Sequence, residues 1–275
     1  MALPDGFQFS QASLQDYVEC RRRFQLRYLH HLAWPAVEAE PALEYERCLR
    51  QGEAFHRLIH QHLLNFPSAQ LSSMAADAEL GRWWHHYLTG APADLPDLRY
   101  PEVILSAPIY SHRLVAKYDL IAVEPGERMV IVDWKTYRRR PPREWLARRL
   151  QTQVYPYLLV LAGFHLNGGQ PVQPEQVEMI YWFAEFPQAP ERFAYSSTQH
   201  RRDGDYLTGL IHEIAGLAED HFTLTDDRRR CRYCPYRSLC RRGIRADSFD
   251  ETDYEIRLED FDLSPELEFI TEAVL

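Results

Sequence analysis

Asp133-Trp134-Lys135 closes the apolar run Met129-Val130-Ile131-Val132, and Asp119 stands a short distance upstream. The run is rich in β-branched residues and follows Pro125-Gly126, so it predicts a short buried strand. Alternation along that strand puts Asp133 and Lys135 on one face of a sheet. Residues Arg113 to Val123 predict a neighbouring strand, and the turn at Glu124-Pro125-Gly126 makes the two a hairpin. Asp119 can then lie opposite Asp133. Two crowded carboxylates repel unless a hard cation sits between them, and Mg²⁺ prefers such oxygen ligands. A lysine beside that cation stabilises charge developing on a phosphate or orients an attacking water. The combination points to metal-assisted phosphodiester hydrolysis.

Composition sharpens the lysine. The chain has 31 Lys plus Arg, and only Lys117 and Lys135 are lysine. Arginine is a planar, permanently charged fork, whereas lysine is a compact point charge whose proton affinity its site can tune. A strand-ending lysine that merely reaches solvent is the bland alternative. With Asp119 and Asp133 beside it, the functional reading is favoured.

Several elements must position these groups. Ser10 can cap a helix from Gln11 to about Leu29, and a second helix runs from about Leu43 to Asn65. Residues 68–92 are helical in part. Strands are expected at Glu102–Ser106, Leu114–Val123, Met129–Trp134 and Val177–Phe183, with a weaker one at Arg192–Ser196. A long helix from about Arg143 to His165 is expected to kink or restart at Pro156, and Tyr206–His221 predicts an amphipathic helix. His56 and His60 stand one turn apart on the second helix, a spacing that can bind zinc, but Arg57 follows the first histidine where the H-E-x-x-H signature needs its glutamate. On the long helix Gln151 and Tyr155 share a face and can hydrogen-bond a phosphate or orient the lysine. Gln153 and Tyr157 repeat that spacing one step round.

At 275 residues, with 45% hydrophobic and 13% aromatic residues, the chain can bury a substantial core. No apolar run reaches the ~18 residues of a membrane span. The N-terminus lacks a basic segment followed by an apolar one, so a cytoplasmic location is the default and disulfides are not expected. The net charge of −9 argues at first against nucleic acid, but its distribution does not. Residues 246–275 hold eleven acids against one base, Arg257, which leaves 1–245 nearly neutral with runs at 21–23, 138–140 and 228–230. We therefore expect a domain over 1–245 and an acidic C-terminal extension over 246–275.

Cys231-x-x-Cys234-x5-Cys240 is a compact triplet, with Cys20 and Cys48 far upstream. Three thiols so close favour a metal, and tetrahedral zinc or an iron–sulfur cluster needs a fourth ligand.

Taken together, these motifs resemble the PD-(D/E)XK nuclease superfamily in its RecB-type branch, over roughly residues 8–242. The opening Phe9-Ser10-Gln11-Ala12-Ser13-Leu14-Gln15-Asp16-Tyr17, the Gly52-x-x-x-His56 helix, the strand acid Asp119, Asp133-x-Lys135 and Gln151-x-x-x-Tyr155 occur in that order. Where that family often has glycine two or three residues before the strand acid, this chain has Ala116 and Lys117. The resemblance implies an α/β fold: a mixed central sheet flanked by helices, a restriction-endonuclease-like core with a helical insertion and an iron–sulfur clasp. It implies that His56, Asp119, Asp133 and the Trp134 carbonyl hold Mg²⁺ or Mn²⁺, that Lys135 is the catalytic lysine, and that Gln151 and Tyr155 assist it. In the iron–sulfur members, AddB-like and CRISPR-adaptation nucleases, a cysteine matching Cys20 joins three C-terminal ones. Cys20, Cys231, Cys234 and Cys240 would then hold a [4Fe–4S] cluster, with structural zinc as the chemical alternative and Cys48 left as a core thiol. The expected activity is hydrolysis of DNA, on single strands or ends and as an exonuclease, alongside a helicase, repair or CRISPR-adaptation partner. An accessory DNA-binding subunit and a zinc-stabilised regulatory module are the alternatives.

Overall fold

Strand β1 (Gln8–Ser10) runs directly into helix α1 (Gln11–Glu19) because Ser10 and Ser13 cap each other. The Ser13 amide donates to Ser10 Oγ at 3.0 Å and the Ser10 amide to Ser13 Oγ at 2.9 Å, satisfying two donors that a helix start leaves open. The single helix expected as far as Leu29 is broken at Cys20, whose extended backbone (φ −160, ψ 102) separates α1 from α2 (Arg21–Phe24) and a π-helical turn at Gln25–Leu29. The computed structural model describes residues 3–4, 6–32, 40–75, 77–231 and 234–243, with the side chains of 40–46 left aside. The acidic extension at 246–275 lies outside these.

Helix α3 (Glu40–Leu63) is followed by α4 (Ser68–Met74) and by α5 (Ala78–Gly90), which Asp77 caps through the amides of Glu79 and Leu80. Then come three strands in succession, β2 (Leu98–Ile109), β3 (His112–Glu124) and β4 (Arg128–Lys135). Helices α6 (Arg143–Ala147) and α7 (Leu150–Ala162) replace the one long helix expected here. The restart falls at Arg149, and Pro156 stays inside α7. Thr152 accounts for the junction: its hydroxyl donates to the Leu146 carbonyl at 2.6 Å, folding α7 back against α6. Strands β5 (Val177–Phe183) and β6 (Glu191–Ala194) and helix α8 (Ser197–Gly216) complete the described domain.

The six strands form one mixed sheet in which β3 pairs with β1, β2 and β4. Strand β2 occupies one edge of β3 from Leu98↔Val123 to Ile109↔His112. The other edge is therefore shared: β1 takes residues 113–115 in parallel, and β4 takes 120–124 antiparallel. Residues 116–119 have neither neighbour on that side. Beyond this point β4 continues alongside β5, up to Lys135↔Phe183.

Both faces of the sheet are covered. A larger core packs Leu150, Val154 and Leu158 of α7 and Leu207 and Ile211 of α8 against Met129, Ile131 and Tyr181. A smaller one packs Phe55, Leu58 and Ile59 of α3 and Trp83 and Trp84 of α5 against Val130, Val132 and Trp134. Continuous apolar strands such as β4 are what two-sided burial demands. This is an α/β fold, a mixed sheet flanked by helices, consistent with a restriction-endonuclease-like core. No helix among the described residues is long and apolar enough to cross a membrane.

One buried acid makes stability depend on pH. Asp203 on α8 is 1% exposed and accepts from Tyr195 Oη at 3.1 Å. Burial raises its pKa above the usual carboxylate value, more than Tyr195 and Arg202 lower it. A folded-state pKa above the unfolded one means stability that is complete below the unfolded pKa and lost as pH rises through the folded one. Asp203→Asn keeps an acceptor for Tyr195 and removes the charge. Its urea midpoint relative to wild type is expected to rise between mildly acidic and neutral pH; a difference that stays flat or falls over that range refutes this.

Candidate active site and cysteine cavity

Strand alternation carries Asp133 and Lys135 to the same face, under the start of α7. They are 4% and 2% exposed, a depth at which charges persist only when paired and hydrogen-bonded. Lys135 Nζ lies 2.7 Å from Asp133 Oδ2 and donates to Gln151 Oε1 at 3.1 Å. Gln151 Nε2 donates to Asp133 Oδ1 at 2.6 Å, closing a triangle. The Lys135 ammonium also sits over the rings of Tyr181 and Tyr137, at 5.6 and 5.9 Å. Helix α7 is held in register for this contact by α1, whose Gln15 Oε1 accepts from the Leu150 amide at 3.3 Å, and by β5, where Tyr181 Oη and Thr152 Oγ1 are 2.7 Å apart.

Asp119 reaches the site by a different route. Along β3, Leu114, Ala116 and Tyr118 face the larger core, and so do Ile121 and Val123, while Leu120 and Ala122 face the smaller one. The alternation slips by one at Asp119–Leu120, as at a β-bulge. Strand β2 slips at the same level, because Tyr100 and Val103 both pack on the larger core. Between Pro101↔Leu120 and Val103↔Tyr118 the pair Glu102 with Asp119 is missing from the ladder. Glu102 there adopts φ +55, a left-handed conformation that a non-glycine residue rarely takes within a strand. Its side chain pairs with Lys117.

Freed from the ladder, Asp119 Oδ2 accepts from the Trp134 amide at 2.9 Å, and Oδ1 lies 3.3 Å from His56 Nδ1 on α3. Gly52, one turn before His56, faces Thr136 where α3 crosses the end of β4; a Cβ there would make an ordinary contact, 3.5 Å from Thr136 Oγ1.

The electrostatics follow from this packing. Burial alone would discourage charge on His56, but Asp119, and more weakly Asp133, raise its pKa to about 9. Burial works against ionised Asp119 too, yet His56 and the Trp134 amide more than offset it and hold the carboxyl below the usual range. Tyr155 is pushed well above the ordinary phenol value by burial and by the two acids, so its hydroxyl remains a donor. Its ring lies 4.8 Å from that of Tyr118.

The sequence-predicted residues thus form two neighbouring groups, His56 with Asp119 and Asp133 with Lys135 and Gln151, and Trp134 joins them through its amide. Among the described residues no three His, Cys, Asp or Glu side chains stand at ligating distance of one point. The donors are nevertheless oxygen and imidazole nitrogen, and His56 lies in the field of both acids, a set suited to a hard divalent cation. His60 is not part of it. Of the two spaced pairs on the long helix, Gln151 and Tyr155 turn inward, while Tyr157 stacks on His200. Sequence reasoning missed Glu102, although Pro101 inside a strand was a signal for a bulge. It also missed the Thr152–Tyr181 contact, for which no local pattern exists.

At the other end of the chain, Cys20, Cys231, Cys234 and Cys240 all line one small cavity together with Arg23, Arg230 and Arg237. Cys20 arrives there at the break between α1 and α2, rather than on a continuous helix face as expected. Cys48 is buried elsewhere, on α3. None of the five cysteines forms a disulfide. Burial pushes Cys234 up to about 12 and raises Cys231 and Cys240, whose thiols also feel Cys20. Arg23 pairs with Asp16 and Glu19, each at 2.7 Å, and Arg230 with Glu19 at 3.0 Å, so charge pairs join the two ends of the chain around the cavity.

A family model described as the PD-(D/E)XK nuclease superfamily matches residues 8–241. Among solved structures, the chain is similar to a Eubacterium rectale protein described as a candidate exonuclease, at 9% identity and TM-score 0.49, over 90% of this chain and 91% of that one. It is also similar to the protein SSO0001, at 14% identity and TM-score 0.41, over 88% and 90%. No curated protein matches the chain.

The strained Glu102 backbone yields a test of how Asp119 is aimed. Glu102→Gly accepts the left-handed conformation and should stay within about 1 kcal/mol of wild type, since its exposed pair with Lys117 is worth little. A β-branched residue does not accept it, so Glu102→Val should cost about 1–3 kcal/mol. It should also release Asp119 from His56, returning the imidazole of metal-free protein from about 9 toward 6.5. NMR titration of His56 with urea unfolding checks both variants; an unchanged His56 in Glu102→Val would refute the role of the bulge.

Proposed function

The chain belongs to the PD-(D/E)XK nuclease superfamily, and from that membership we propose that it hydrolyses phosphodiester bonds of DNA with Mg²⁺ or Mn²⁺, as an exonuclease acting on single strands or ends. The observation that carries this reading is the buried triangle of Asp133, Lys135 and Gln151 beside the His56–Asp119 pair. A buried ion pair contributes little net stability, because desolvation offsets its attraction. Stability alone therefore does not account for the pair, which points to a chemical use.

His56, Asp119, Asp133 and the Trp134 carbonyl are the groups that would hold the cation. When bound, it would polarise the scissile phosphate and lower the pKa of a water at the same centre. Lys135 orients that water toward phosphorus or meets the charge that builds on the phosphate oxygens as the water oxygen bonds and the ester oxygen leaves. Gln151 keeps the ammonium pointed at the reacting centre by bridging it to Asp133. Tyr155, held protonated, donates to a phosphate oxygen.

We assign the cysteine cavity to a [4Fe–4S] cluster, with structural zinc as the chemical alternative, and thereby the chain to the RecB-type branch. Support comes from the convergence of Cys20, Cys231, Cys234 and Cys240 on one cavity that Cys48 does not line. In this reading residues 1–245 are the nuclease domain and 246–275 an acidic extension, and the protein works in the cytoplasm with a helicase, repair or CRISPR-adaptation partner.

Asp133→Asn and Lys135→Ala should each lower Mn²⁺-dependent hydrolysis of labelled single-stranded DNA by about 100-fold or more, and His56→Ala should weaken it. Breaking a buried pair also costs about 3–5 kcal/mol, so the neutral double variant Asp133→Asn/Lys135→Met separates chemistry from folding. It should regain stability and remain inactive. Wild-type rates in any folded Asp133 or Lys135 variant would overturn the assignment.

For the cysteines, loss of Cys20, Cys231, Cys234 or Cys240 should release the bound metal and lower the melting temperature, because metal binding contributes folding free energy. Cys48→Ser should leave metal content unchanged. Iron and zinc analysis of anaerobically purified protein distinguishes the two metals, and equal loss in Cys48→Ser with none in Cys20→Ser would refute the ligand set.

A further inference from the structure

Helix α8 carries two glycines in its interior, Gly204 and Gly209, where glycine weakens a helix. Gly204 has a packing reason: a Cβ there would stand 3.0 Å from the Tyr157 ring, so its absence lets Tyr157 of α7 lie against α8. Gly209 has none, since a Cβ would meet nothing within 4 Å. Both line an open cavity of about 710 Å³ between α7, α8 and the tip of the β2–β3 hairpin.

Aromatic pairs stand on both sides of Gly209. Tyr157 and His200 stack at 4.9 Å and 27°. Tyr110, 58% exposed at the hairpin tip with φ +51, stands edge-on to His212 at 5.0 Å and 86°. His200 and His212 lie three to four turns apart on α8, so the rings are spread over roughly 18 Å. Between them Thr208 and Asp205 offer a hydroxyl and a carboxylate, and Arg201 is exposed with no ion pair among the described residues.

We propose that this groove is a second binding site for unpaired DNA, taking bases against its aromatic rings and one phosphate at Arg201. The proposal rests on the nuclease reading above and names the form of DNA that the protein holds. Flat faces suit every base alike, and duplex DNA presents none of them, so the groove selects unpaired strands without reading sequence. Asp205 balances Arg201, and binding here is therefore led by stacking rather than by phosphate charge. The groove is distinct from the reacting centre. Tyr157 points to the flank of α7 roughly opposite Tyr155, two residues earlier, so DNA in the groove is away from Lys135.

The test fills the groove with one variant and takes away a ring with another. Gly209→Leu points a side chain into open space and improves the helix, and Tyr110→Ala removes the exposed ring. Full-length protein is titrated by fluorescence anisotropy in EDTA, against labelled oligothymidylate and against a blunt duplex, at low and moderate salt. Each variant should bind the single strand at least about fivefold more weakly. The factor should be the same at both salt levels, because stacking, unlike phosphate contact, releases no counterions. Duplex affinity and Mn²⁺-dependent hydrolysis of thymidine 5′-monophosphate p-nitrophenyl ester, too small to span both sites, should be unchanged. Wild-type affinity of both variants for the single strand overturns the site, as does equal weakening on strand and duplex. Protein that binds the strand through the groove but hydrolyses neither DNA nor the ester leaves the site standing and removes the nuclease reading instead.

Discussion

Keeping Lys135 charged at 2% exposure is the constraint on which the remaining architecture depends. An ammonium at that depth needs an anion and further acceptors within hydrogen-bond reach. Asp133 supplies the first through strand alternation, and Gln151 the second, but only if α7 starts at one place. That requirement explains why α7 is tied down at its first turn from three directions, by Gln15 of α1, by the Leu146 carbonyl through Thr152, and by Tyr181 of β5. The N-terminal strand–helix unit, far from the lysine in sequence, thereby becomes part of its support.

The second constraint is the aim of Asp119. A regular β3 would alternate its side chains without interruption and keep Asp119 within the ladder. The paired slips at Pro101–Glu102 and Asp119–Leu120 preserve the register of β2 on β3 on either side while leaving Asp119 out of the ladder, beside α3. The cost is held in one residue, Glu102, forced to positive φ. The sheet absorbs it because residues 116–119 of β3 have β2 on one edge only, so the distortion breaks no ladder on the other. The gap between β1 and β4 along β3 and the position of the acid are one feature.

Both ends of the described domain meet at the cysteine cavity. Arg23 with Asp16 and Glu19, Arg230 with Glu19, and Tyr236 Oη donating to the Leu32 carbonyl at 2.9 Å join the α1–α2 break to the C-terminal segment. Since α1 also supports α7, whatever steadies this junction steadies the lysine. The cavity and the Asp133–Lys135 pair are thus coupled through one short helix.

Much of this was legible in the amino-acid order. Period-two alternation placed Asp133 and Lys135 on one face, the Pro125-Gly126 turn marked the hairpin, Ser10 marked a helix start, and Val177–Phe183 was read to its limits. These signals are local: a few residues of apolar pattern or one capping side chain decide them. The pairing of Gln151 and Tyr155, rather than Gln153 and Tyr157, was ambiguous, because two faces of α7 carry the same spacing and only its rotation against the sheet separates them. The Cys20 break and the Arg149 restart were missed, since distant partners stabilise both interruptions. Glu102 shows the limit most plainly. Its backbone conformation is unfavourable by itself and persists only because strand pairing on both sides over-determines it. The sequence by itself determined the candidate site residues and the elements that carry them. Only the tertiary structure decided that Asp119 leaves its ladder for His56 and that Lys135 is closed under α7, because both depend on contacts between segments far apart in the chain.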